Sequence, residues 1–322
     1  MNKIKDIIDS YTHTTVFLLI VGLLAAIFFT ATFLINRAIS LDGGHWYFSG
    51  SLRLVYLILF FSIGFIIFRG ISYFKAVLKE YIDNFRFWTI AGTIGFGCFY
   101  SLLCYAADFS PAWVVATTWQ ITLISSLFVL SFFGKKLSKK IWIFTLIIFV
   151  GITLVNISHF DINNIEPLLL GFLPVLVASF CYPFGNQLVW EEKKKRIDKN
   201  KDYKVLNNTF VKVFLLTLGS FPLWIVLYFT TDATVPSTSQ YINVAIVTLL
   251  SGVIATSLFL YARNHADTSS KLMLVDATQS GEVFFALVGE LLFLNAALPN
   301  ATGFVGLIVT VTGLILLTKS KE

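Results

Sequence analysis

Three acids stand in a stretch that otherwise reads as soluble in lipid: Asp276, Glu282 and Glu290, within DATQSGEVFFALVGE (276–290). A carboxyl group among apolar side chains can exchange a proton, meet a cation or accept hydrogen bonds from a neighbouring helix. Projected at 100° per residue, Asp276, Gln279, Glu282 and Glu290 fall in one sector of about 120°, and Ala286 leaves room beside them. Ala277, Gly281, Phe284, Val288 and Leu292 form the opposite face. One stripe implies one environment, a pathway or a polar seam. At 1.5 Å per residue, Glu282 lies roughly 16 Å beyond Lys271, near the centre of a hydrocarbon layer about 30 Å thick. A charge at that depth costs about 3 kcal/mol on insertion scales. The group must therefore face protein or water, or hold a proton. The alternative for Glu282 is a structural acid bonded between helices. For Glu290 it is an interfacial role, and for Asp276 a helix-start or snorkelling role.

Other polar residues fit the same chemistry. Trp113, Thr117 and Gln120 share a face of an earlier apolar segment. An amide can hold an acid in either protonation state, because it both donates and accepts. Gln120 and Gln279 are thus expected as partners of Glu282. Trp119, Tyr100, Tyr105, Tyr182 and Phe184 offer aromatic walls for a flat or cationic ligand. Arg53 lies inside an apolar segment and either balances an acid or binds an anion; a structural ion pair is the plainer reading. Arg37 beside Asn36 reads equally as an outer gate or an interfacial anchor.

The elements that must carry these residues follow from composition. The chain has 322 residues, 57% hydrophobic and 13% charged, against about 25% charged in soluble domains. Ten apolar segments are expected, at 15–36, 47–68, 86–107, 112–133, 141–157, 165–189, 209–229, 242–263, 271–294 and 301–318. The first follows Lys3 and Lys5, has no clear small-residue cleavage site, and reads as an uncleaved span. Of the 24 Lys and Arg, all but Arg37, Arg53 and Lys212 fall in alternate connections or the two tails. By the positive-inside rule both termini are cytoplasmic. The basic run EEKKKRIDKNKDYK (191–204) reads as a topology signal and a solvated loop, not a nucleic-acid site. Pro174 and Pro183 predict kinks. Gly22, Gly92, Gly95, Gly97 and Gly252 predict close helix packing.

The halves also resemble each other. TTWQ (117–120) matches DATQ (276–279), SLLCYA (101–106) matches SLFLYA (257–262), and FLINR (33–37) matches PFGNQ (183–187), which includes Asn186, in the same order and at similar offsets. Five spans per half is odd, so the second half enters the membrane from the other side, an inverted repeat with its site near the midplane. The repeats are expected at 1–160 and 161–322, the second holding a basic cytoplasmic loop at 190–208. No GxxxxGK[ST], HExxH or GxSxG occurs, and Cys98, Cys104 and Cys181 show no metal or disulfide spacing. The chain reads as a non-enzyme.

The segments NRAISLDGGHWYFSGSLR (36–53), GFGCFYSLLCYAADFSPAWVVATTWQ (95–120), CYPFGNQ (181–187) and DATQSGEVFFALVGE (276–290) resemble the drug/metabolite transporter superfamily, and within it the multidrug resistance efflux transporter branch. The resemblance runs over about residues 15–318. It implies an all-α integral membrane protein with ten transmembrane helices in two inverted five-helix repeats. It further implies a secondary transporter exporting small organic compounds against proton entry, driven by the proton gradient without a cofactor. In the small four-helix exporters a first-helix glutamate carries the coupling. Here the first segment has no acid, only Thr15, Thr30, Thr32, Asn36 and Arg37 as polar groups, which moves the coupling carboxylate to Glu282. The partners expected are a small-molecule substrate, the lipid bilayer and a second copy in a homodimer; nucleic acid is not one. The setting expected is a bacterial plasma membrane. The rival readings are a permease for uptake or exchange of an anionic metabolite, held by Arg53 or Arg37, and a non-transporting membrane scaffold or receptor.

Overall fold

The computed structural model describes residues 14–134, 139–158, 165–200 and 204–319. Of the sequence features above, Lys3, Lys5, residues 201–203 of the basic run and the expected 160/161 boundary between halves lie outside the described residues.

Long apolar runs become helices because lipid offers the backbone no hydrogen-bond partner, so each segment must satisfy its own N–H and C=O groups. Eight described helices are long and apolar enough to cross a membrane. They are α1 (Thr15–Leu41), α2 (Trp46–Arg69), α4 (Phe85–Ala106), α5 (Ala112–Phe132), α6 (Lys139–Ser158), α7 (Leu169–Asp198), α8 (Thr209–Thr230) and α9 (Thr238–His265). The ninth expected segment is two helices, α10 (Ser269–Ala277) and α11 (Gly281–Phe293), joined by a 3-10 turn at Thr278–Ser280. The tenth is α12 (Ala301–Lys319). Polar residues mark the starts. Thr14 accepts from the Phe17 N–H, Asn208 from Phe210, Ser237 from Gln240 and Thr268 from Lys271, each meeting a donor the helix leaves unpaired.

Two features depart from the expected loops. Residues 71–83 form a further helix, α3 (Ile71–Asp83). It follows Gly70, whose φ of 83° turns the chain sharply after α2. Its Val77 is fully buried, and Tyr73, Phe74, Leu78 and Tyr81 pack on the core. The first part of the basic run is also not a loop: α7 continues through Glu191 to Asp198. Pairs one turn apart, Gln187 with Glu191 and Glu192 with Arg196, support it. Arg196 is buried, and its Nη1 donates to Glu80 of α3 at 3.0 Å. Pro174 and Pro183 both lie within α7, Pro174 just after the π-helical stretch Pro167–Phe172, where the wider turn precedes a residue that cannot donate.

Glycines set the closest approaches. Gly95 of α4 meets Gly185 of α7, with a methyl on Gly95 falling 3.0 Å from the Gly185 Cα. Gly92 of α4 lies against Leu216 and Gly219 of α8, and Gly22 of α1 against Thr278. Gly151 of α6 faces Gly306 and Thr310 of α12, so these two helices pack chiefly on each other. Trp88, Trp113 and Phe214 fill the interior, while Ile27, Phe68, Leu146, Phe229 and Ile308 project outward. Apolar side chains in that position are what a lipid-facing surface presents.

Candidate functional site

The three acids have three separate settings. Asp276, on α10, pairs with Arg263 near the end of α9. The Arg263 guanidinium also lies over the Phe259 ring, 5.6 Å from its centroid. Glu290, buried at 3% exposure, accepts from the Trp113 N–H through Oε2 at 3.0 Å, and the Ala112 N–H also bonds to it. These are the first N–H groups of α5, which starts after Pro111 with no side-chain cap of its own. Glu290 thus caps α5 from another helix, satisfying orphan donors at the positive end of the helix.

Glu282 differs. It is 6% exposed, and no hydrogen bond or ion pair reaches its carboxyl group among the described residues. Only its main-chain oxygen is bonded, by Thr30 Oγ1 at 3.4 Å. Gln279, three residues earlier, has a buried Nε2 that also lacks a partner. Tyr182 of α7 lies close enough to Glu282 to feel its charge.

Tyr182 belongs to an aromatic group. Its ring is 5.1 Å from Phe99, 5.8 Å from Trp119 and 6.3 Å from Phe96. Tyr100 stands beside Phe99 and Phe96 at 4.3 and 5.5 Å. Over Tyr100, at 4.8 Å, is the Arg53 guanidinium. Arg53 is 3% exposed and donates through Nη2 to Thr32 Oγ1 and Ser251 Oγ, while its Nε and Nη1 have no hydrogen-bond partner among the described residues. Asn36, one turn after Thr32, bonds Cys104 Sγ through Nδ2 at 3.6 Å and leaves Oδ1 unpaired. Buried polar atoms are rarely left without partners. Here Asn36, Arg53, Gln279 and Glu282, from α1, α2 and the α10–α11 segment, all keep unused bonding capacity.

The remaining expected site residues are placed otherwise. Gln120 donates to Ala116 O within its own helix, and Thr117 Oγ1 to Trp113 O at 2.7 Å. No hydrogen bond joins Gln120, Gln279 and Glu282 to one another among the described residues. Tyr105 packs against Trp46 and Phe109, with the α1–α2 connection rather than beside Tyr182. Arg37 donates to Ala107 O and Asp108 O at 2.8 and 3.1 Å, fastening the α4–α5 turn. Asn186 lines a cleft of about 400 Å³ between α5, α7 and α8, with Tyr182, Ser126, Gln187, Lys193 and Lys212. The sequence reading had not grouped the two lysines with the site. Their signal was present: Lys212, like Arg53, is one of the few cations outside the charged connections.

Comparison with known proteins agrees with this architecture. Residues 16–322 match the EmrE family, described as "Putative multidrug resistance efflux transporter". The chain belongs to this family, and so to the drug/metabolite transporter superfamily; it is a multi-pass membrane protein of a transporter family. It is 35% identical over 320 residues to the uncharacterised protein YjlA of Bacillus subtilis (strain 168), covering 94% of this chain and 95% of that one. It is 34% identical over 277 residues to an uncharacterised 42.1 kDa protein from Shouchella clausii, encoded in the 3′ region of an intracellular alkaline protease, covering 82% and 69%. A crystal structure 14% identical in sequence superposes with a TM-score of 0.56 over 91% of this chain and 95% of that one, a likeness of fold alone.

Proposed function

We propose that the protein is a secondary active transporter of a bacterial plasma membrane, moving small organic compounds by alternating access in exchange for protons, with Glu282 as the exchanging group. The observation that carries this reading is the Glu282 carboxyl, buried in the first turn of α11, just after the Thr278–Ser280 turn, with no hydrogen-bond or ion-pair partner among the described residues. A group kept there at a cost of about 3 kcal/mol serves the chain best if a proton or the cargo meets it in turn. Protonated and cargo-bound forms then favour different orientations of the bundle.

The reading includes ten spans in two inverted repeats, and several features support it. A π-helical turn interrupts α4 at Thr93–Cys98 and α9 at Thr248–Ala255, each just before the matching SLLCYA and SLFLYA motifs. The chain tightens at Gln120, whose N–H bonds Thr117 O, and at Thr278–Ser280, the matching TTWQ and DATQ positions. Packing pairs match as well: α4 on α7 and α9 on α1, α5 on α7 and α11 on α1, and α6 on α12 with itself as mate. π-turns recur at functional sites, and these two flank the buried polar cluster. Such pairing is what rocking of one repeat against the other requires.

Intravesicular pH in proteoliposomes, read with a dye while lipophilic cations and small metabolites are added, tests the reading. Some compound moves protons in the wild type, and Glu282→Gln, which keeps the shape without the charge, abolishes the movement. A Glu282→Gln protein that moves protons as the wild type does overturns it.

A further inference from the structure

We propose that the cargo carries an anionic group, a carboxylate or a phosphate ester, which passes Lys193 and Lys212 and is held by the Arg53 guanidinium. The word cargo rests on the transport reading above; the anion site rests on its own geometry.

A buried guanidinium normally has a carboxylate partner, since removing its charge from water is expensive. Arg53 has none. The ion pairs of the described residues join Arg196 to Glu80 and Glu192, Lys195 to Glu192, Arg263 to Asp276 and Lys271 to Asp267. The contacts of Arg53 among the described residues are with neutral groups, the Thr32 and Ser251 hydroxyls, the Tyr100 ring and the Cys104 thiol. Glu282 lies toward Tyr182, and no ion pair links it to Arg53. Nε and Nη1, both bare, are donors of the planar fork that suits carboxylate and phosphate.

The second observation is the cleft. Lys193 of α7 and Lys212 of α8 line it together and feel each other's charge, and no acid lines it. Two like charges sharing a wall attract anions and repel cations. Tyr182 lines the cleft, and through Phe96 and Phe99 it adjoins Tyr100, on which Arg53 rests. The basic cleft, the packed rings of Tyr182, Phe96, Phe99 and Tyr100, and the Arg53 guanidinium therefore adjoin in that order. That sequence of surfaces fits a small organic acid with an apolar or aromatic body.

The test is binding to the full-length protein in lipid nanodiscs, with naphthalene-2-carboxylate and 1-naphthyl phosphate as probes. 2-Naphthamide serves as the neutral control and tetraphenylphosphonium as the cationic one, at several salt concentrations. At least one acid binds and the amide does not. Arg53→Gln lowers acid affinity by about tenfold or more, and Arg53→Lys, which keeps the charge without the fork, by less. Lys193→Gln with Lys212→Gln slows association and flattens its salt dependence, with affinity within about threefold of wild type. This last variant decides the matter if Arg53→Gln does not fold. The inference is overturned if neither acid binds, if the acids bind Arg53→Gln as tightly as wild type, if chloride competes as an equal, or if the lysine variant associates unchanged. Vesicle assays separate it from the transport reading. Acids that bind but never cross leave the anion site standing and defeat transport. A cation that moves protons while no acid binds does the reverse.

Discussion

Glu290 shows how much of a buried acid's role is set by a partner far along the chain. α5 begins after Pro111, which has no N–H and no side-chain acceptor, so the Ala112 and Trp113 donors need an external oxygen. Glu290→Ala leaves those donors buried and unpaired and lowers stability by about 1–3 kcal/mol. Glu290→Gln keeps an amide oxygen for them and loses less. Thermal unfolding of the purified protein measures both. Asp108, in the turn Arg37 fastens, is a different case. Burial pushes its carboxyl above the ordinary carboxylate range, against the lowering effects of Ser40, His45 and Arg37. The native form then binds the proton more tightly than the unfolded chain. Its contribution to stability is full below the unfolded value and is lost as pH rises through the native one. Asp108→Asn removes that slope, so thermal stability plotted against pH becomes flatter on the acid side.

At the level of helices, the spans were legible because lipid enforces length and apolarity on each of them. α3 was not, since an amphipathic helix beside the bundle has the mixed composition of a loop. The end of α7 was hidden by its charges, which pair along the helix and with Glu80 instead of only facing water. The helical projection of 276–290 gathered the acids on one face, but a projection assumes one unbroken helix and cannot see partners. The 3-10 turn at Thr278–Ser280 divides it, and Arg263 and the start of α5 claim Asp276 and Glu290. Glycine reading was more informative, because Gly95 and Gly185 do meet at backbone distance. Gly185→Ala places a methyl on the Gly95 backbone and forces α4 and α7 apart. It lowers thermal stability and transport together, whereas Gly64→Ala, with open space around it, changes neither.

Across the whole molecule, polar capacity is concentrated where the helices meet and apolar side chains face outward. α6 and α12 pack chiefly on each other through Gly151, Gly306 and Thr310, and α12 also touches α10 and the Thr278–Ser280 turn. The acids divide in their settings: Asp276 and Glu290 join helices, whereas the Glu282 carboxyl has no such partner among the described residues. The measurement that tests this division most directly compares Glu282→Gln, Glu290→Gln and Asp276→Asn with the wild type, for substrate-driven proton movement in vesicles and for thermal unfolding. The account predicts that Glu282→Gln alone abolishes proton movement while unfolding at or above the wild-type temperature, and that the other two lose stability but keep coupling. Proton movement intact in Glu282→Gln and absent in a well-folded Glu290→Gln or Asp276→Asn would contradict it.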